Sequence, residues 1–70
     1  MSRRDDEALE AVLNEMRKNK GLKNSIVQAA QNEEYENFAR IVAKVLNSLN
    51  RTVDNFVNFV NNAIDWFKNL

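Results

Sequence analysis

Apolar residues recur at three- and four-residue steps along nearly the whole chain, and interruptions of that rhythm divide it into helical segments. The first carries Ala8, Leu9, Val12, Leu13 and Met16 on one narrow stripe, which predicts a helix over about 4–20. Asp5, Asp6 and Glu7 set negative charge at its positive end, and Arg17, Lys18 and Lys20 set positive charge at its negative end. Gly21 follows, where a left-handed C-cap is expected. A second, shorter helix is predicted over about 22–31, with Leu22, Ile26 and Ala30 aligned and Val27 and Ala29 beside them. A helix of this length is marginal in isolation and needs packing to persist. Asn32 is then the expected N-cap of the next element, with Glu33 and Glu34 supplying acid to its first turn.

From Tyr35 onward the apolar positions alternate steps of three and four: Tyr35, Phe38, Val42, Val45, Leu49, Thr52, Phe56, Phe59, Ala63, Trp66 and Leu70. A second row runs alongside at Ala39, Leu46, Val53, Val60 and Phe67, so the stripe is wider than a two-stranded seam. After residue 52, all apolar side chains fall within one half-circle of a helical projection, and Asp54, Asn55, Asn58, Asn61, Asn62, Asp65, Lys68 and Asn69 fall in the other. The unbroken phase, with no Gly or Pro after Gly21, favours one long amphipathic helix over about 33–69. Such a helix would extend about 54 Å, whereas a compact chain of this length has a radius of gyration near 11 Å. Its far half would therefore project and require a partner. The weak helix formers from Asn47 to Thr52 mark the alternative, a bend near 47–52 that closes the chain into an antiparallel bundle. The expected fold is all-α: a single small domain over 1–70, residues 1–3 a flexible tail, with a short helical hairpin packed on the C-terminal helix.

Composition narrows the chemistry. The 70 residues include no His, Cys or Pro, which removes the imidazole base, the thiol nucleophile, soft metal ligands and disulfides. One glycine cannot build a phosphate-binding loop. No pair of carboxylates suggests acid–base catalysis, so the expectation is a protein that is not an enzyme, with no cofactor and no metal. Ten basic and ten acidic residues balance, so no overall field draws the chain to nucleic acid. A recognition helix placed at 22–31 would offer Lys23, Asn24, Gln28 and Gln31 without a basic surround. Apolar runs are only a few residues long and no secretory signal opens the chain, so a cytoplasmic location is expected. Glu33, Glu34 and Glu36 read as complement to a helix dipole rather than as a cation site.

The expected functional surface is the apolar face of the C-terminal helix: Leu49, Val53, Phe56, Phe59, Val60, Ala63, Trp66, Phe67 and Leu70. The partner expected there is a second copy of the chain or a larger protein. A membrane surface is the alternative, because a half-apolar helix with Trp and Phe can lie in a lipid interface. The polar face, rich in Asn and poor in Lys, offers no attraction to anionic lipid.

Three stretches carry a family resemblance: Ala8-Leu-Glu-Ala-Val-Leu13, Leu22-Lys-Asn-Ser-Ile26, and Ala29-Ala-Gln-Asn-Glu-Glu-Tyr35 with Phe38-Ala39. Over about residues 8–39 the chain resembles the nif-eleven-type leader domains that precede ribosomally made, enzymatically modified peptides. The resemblance implies a protein-docking helical domain. The glycine after that family's third helix, its Gly-Gly or Gly-Ala cleavage site and the modifiable residues beyond have no counterpart here, where the helical phase runs on. A leader-like adaptor whose tail serves another use is what the resemblance implies.

Overall fold

The computed structural model describes residues 2–70. Among these the regular structure is wholly helical: α1 (Arg3–Lys18), α2 (Lys20–Gln31), α3 (Tyr35–Ser48) and α4 (Phe56–Phe67). Each of the first three helices buries the stripe its spacing defines. Ala8, Val12 and Met16 of α1, Ile26, Ala29 and Ala30 of α2, and Phe38, Val42, Val45 and Leu46 of α3 are all buried. Leu9, Leu13, Leu22 and Val27 pack against that core at its edge.

The local starts and stops differ from the expectation at several points, each for an identifiable reason. Ser2 and Arg3, expected in a flexible tail, belong to α1: Ser2 is the N-cap, its Oγ accepting from the Asp5 backbone N–H at 3.2 Å. Met1 lies outside the described residues. Gly21 is not a C-cap but a residue of α2 with negative φ. Asn19 does the work of both helix ends. In extended conformation it gives its N–H to the Glu15 and Met16 carbonyls at the end of α1, and its Oδ1 accepts from Leu22 N–H at the start of α2. A single asparagine between two helices can do this because its side chain satisfies an N-terminal donor while its backbone departs from helical geometry.

Asn32 likewise ends α2 instead of starting α3. Glu33 takes a left-handed conformation (φ 55°), Glu33 N–H bonds to Ala30 O, and Glu34 N–H reaches back to Ala29 O at 2.9 Å. That pair of bonds is a Schellman motif, which satisfies carbonyls the helix end would otherwise leave open.

The long C-terminal helix is not formed. The chain turns over Leu49–Asn55, close to the bend set at 47–52 as the alternative. The same device stops α3: Asn50 is left-handed (φ 59°), its N–H bonds to Asn47 O, and Arg51 N–H reaches Leu46 O at 2.9 Å. Ser48 Oγ donates to Val45 O, occupying a further carbonyl of the last turn. Asn55 then caps α4, its Oδ1 accepting from Asn58 N–H at 3.0 Å. Between the caps, Asp5 of α1 reaches across 49 residues, and its Oδ1 accepts the Asp54 backbone N–H at 2.9 Å. Asp5 is only 4% exposed, the one buried charged side chain among the described residues.

The turn lets α4 fold back. Phe59, Val60, Ala63, Ile64 and Phe67 enter the same core as the other helices, and α2 packs against α1, α3 and α4. The resulting globule measures 25 × 23 × 18 Å with a radius of gyration of 10.7 Å.

Gly21 supplies a direct check of the reassigned α1–α2 joint. A Cβ added there would meet nothing closer than Asn19 Oδ1 at 3.4 Å, an ordinary contact. Gly21→Ala is expected to raise stability by about 0.5–1 kcal/mol in a denaturant titration, as for an exposed helical glycine. A left-handed C-cap at this position would instead make the substitution destabilising.

Candidate interaction surface

The nine residues expected to form one continuous face divide into three groups. Phe59, Val60, Ala63 and Phe67 are core, at 0%, 6%, 1% and 0% exposure. Leu49 and Val53 are half-buried and pack against that core from the turn. Phe56, Trp66 and Leu70 remain exposed. Tyr35 and Val57 join them as large exposed apolar side chains, although neither belongs to the expected set. The helical projection does hold a signal for Val57, which sits at the margin of the apolar half-circle, beyond the arc that a single core can cover.

Positions 57 and 66 are nine residues apart, which at 100° per residue places them half a turn from each other around α4. They therefore stand on opposite flanks, with the core-facing residues between them. On one flank, Val57 and Phe56 meet Tyr35, Glu36 and Ala39 of α3, with Val60 and Asn61, around a shallow groove of about 240 Å³. On the other, Trp66 and Leu70 meet Leu13, Met16 and Arg17 of α1 and Lys20 and Lys23 of α2 around a groove of about 370 Å³.

The two flanks differ in charge. Arg17, Lys20 and Lys23 border the Trp66 groove, and no acidic side chain is among its lining residues. Glu34 and Glu36 border Tyr35 together with Arg40 and Asn37. Glu34 Oε1 also accepts from Asn37 Nδ2 at 3.2 Å. Glu33, Glu34 and Glu36 thus have three separate roles: a left-handed cap with an ion pair, an N-cap, and a first-turn acid. Among the described residues no group of three or more carboxylates gathers to hold a metal ion, and no helix is long and apolar enough to cross a membrane.

A further cleft of about 390 Å³ lies between the start of α1 and the α3–α4 turn, lined by Arg4, Glu7, Leu49, Asn50, Arg51 and Thr52. Arg4 Nη1 stands 3.5 Å from Asp54 Oδ1 at its edge. Both partners are more than half exposed, so the pair contributes little.

Lys68 ties the end of α4 to the α2–α3 corner, its Nζ donating to Glu33 Oε1 at 2.7 Å. That hydrogen bond, reinforced by the charge of Lys68, holds the Glu33 carboxyl below its ordinary 4.5. The same hydrogen bond, with the charges of Glu33, Asp65 and Tyr35, raises Lys68 above its ordinary 10.5 against the opposing effect of burial.

Comparison with protein-family models, curated proteins and solved structures finds no match to this chain.

The ion pair fixes a pH dependence. A depressed carboxylate stabilises fully above its ordinary value and loses that contribution as pH falls through its folded-state value. A raised lysine stabilises fully below its ordinary value and loses the contribution as pH rises through its folded-state value. Wild type is therefore expected to melt above Glu33→Gln between about pH 5 and 10, with the gap narrowing as pH falls below 4.5 and in about 1 M salt. Thermal melts of both proteins across that range measure it; a gap that persists at acid pH would assign the effect to something other than the ion pair.

Proposed function

We propose that this chain is a non-enzymatic helical interaction module, acting through the apolar side chains of α4 and its neighbours that the core leaves uncovered. The observation that carries the reading is their placement. Phe56, Val57, Trp66 and Leu70 all lie on or just beyond α4, and Tyr35 stands next to one of its flanks. A chain of this size covers relatively little of its own apolar surface, and residues exposed in clusters beside grooves are the form that docking sites take. The absence of His, Cys and a phosphate loop from the sequence supports recognition rather than catalysis.

The partner is another protein chain. Burial of Phe59, Val60, Ala63 and Phe67 weighs against the membrane-surface alternative, because the broad apolar face a lipid interface would accept is occupied by the core. A leader-like adaptor docked on a larger protein, as the resemblance over 8–39 implies, is one form this module could take.

Quantitative capture from extracts of the native host tests the reading. Proteins retained by wild type are expected to be lost with Val57→Asp or Trp66→Asp and kept with Asn58→Asp, which changes the solvent side of α4. Retention that is the same for all four proteins would overturn it.

A further inference from the structure

The two flanks of α4 differ in charge, and neither set of charges reaches the core. Trp66 and Leu70, 52% and 49% exposed, sit among Arg17, Lys20 and Lys23. Tyr35 and Val57, 48% and 69% exposed, share a groove in which Glu36 is the charged lining residue. Glu34 and Arg40 border Tyr35 beyond that groove, and Lys68, paired with Glu33, also stands near Tyr35. The charged side chains that line the first groove are basic and the one that lines the second is acidic. Complementary potentials of this kind orient two surfaces and fix their register.

Resting on the reading of the chain as an interaction module, we infer that the occupant of each groove is a second copy of this chain, joined head to tail. The Trp66–Leu70 flank of one molecule covers the Tyr35–Val57 flank of the next. Because the two flanks point half a turn apart, a single contact cannot use both flanks of the same molecule, and an open assembly keeps one free flank at each end. This is a heterologous interface, which grows into chains or closes into rings instead of stopping at a two-fold dimer. Formal neutrality removes the net repulsion that would oppose stacking copies.

The experiment uses two flank-blocked variants. Val57→Arg sets a cation where the basic flank would dock, and Trp66→Asp sets an acid where the acidic flank would dock. Both positions are exposed, so circular dichroism should match wild type. Wild type is expected to form species larger than a dimer in sedimentation at about 0.5 mM, a concentration suited to a modest interface. Each variant alone should stay monomeric, and an equimolar mixture should give a dimer that grows no further.

Trp66 is the only tryptophan in the chain, so a second readout comes with the mixture. Emission from Val57→Arg should shift to the blue when Trp66→Asp, which has no tryptophan, is added. A variant that still dimerises alone, or a mixture that stays monomeric with unshifted emission, would overturn the head-to-tail arrangement. Wild type monomeric at the highest concentration would overturn the second copy as occupant while leaving the capture result, and with it the interaction module, to stand on its own.

Discussion

Phe38 of α3 and Phe67 of α4 meet edge to face in the middle of this protein, ring centroids 5.7 Å apart and planes at 65°. Both are fully buried, and the contact exists only because the chain reverses between them. With Phe59 and Ile64 also at 0% exposure, α4 contributes some of the largest side chains of the core. Burying one such side chain stabilises by about 1.5–3 kcal/mol, which for a 70-residue chain is a large fraction of all the stability available. An extended α4 would leave these rings in water and take away the surface on which α2 and α3 close. The fold-back is thus the constraint from which the compact shape, the buried core and the residual exposed flanks follow.

The reversal is built from short-range chemistry with one long-range tie. Asn50 accepts the left-handed conformation that ends α3, and Asn55 supplies the oxygen that starts α4. Each is a local preference of asparagine, which tolerates positive φ and caps helix starts. Neither fixes where α4 goes. The bond from Asp54 N–H to the buried Asp5 carboxylate does so, by pinning the turn to the first turn of α1. Asp5 sits at a helix N-terminus, where a carboxylate is favoured by the dipole, and Ser2 holds its backbone N–H. At the other end of α4 the Lys68–Glu33 pair ties the helix to the α2–α3 corner, so α4 is anchored near both termini.

Much of this is legible in the sequence. The three- and four-residue spacing identifies the buried faces of α1, α2 and α3, because the face a helix buries is set by angle, although Tyr35 at the start of α3 stays exposed. The connection between α3 and α4 is not legible in the same way. An apolar arc that fills half the projection agrees in phase with most arcs placed after it, so phase agreement across residues 49–55 carries little information about continuity. The Asn-Ser-Leu-Asn-Arg-Thr segment holds the better signal, in helix-weak residues able to cap and turn. Asn55 looks in sequence like another polar residue of the outer face although it is the cap of α4. Asp5 looks like ordinary dipole complement, and nothing local announces a bond formed 49 residues away. The interaction surface suffers from the same ambiguity. An apolar half-circle shows what avoids water but not how much of it a single core will cover: Val57 falls just outside the covered arc, and Tyr35, in phase with the buried face of α3, is exposed at the first position of that helix.

That α4 folds back onto its own chain is measured most directly by nuclear Overhauser contacts between the ring protons of Phe38 and Phe67. These are recorded on dilute protein, and again on a mixture of labelled and unlabelled chains filtered for intermolecular contacts. The expected result is a strong cross-peak in the first experiment and none in the filtered one. Absence of the first cross-peak, or its appearance in the filtered spectrum, would mean that α4 projects away from its own chain and finds its core in a neighbour.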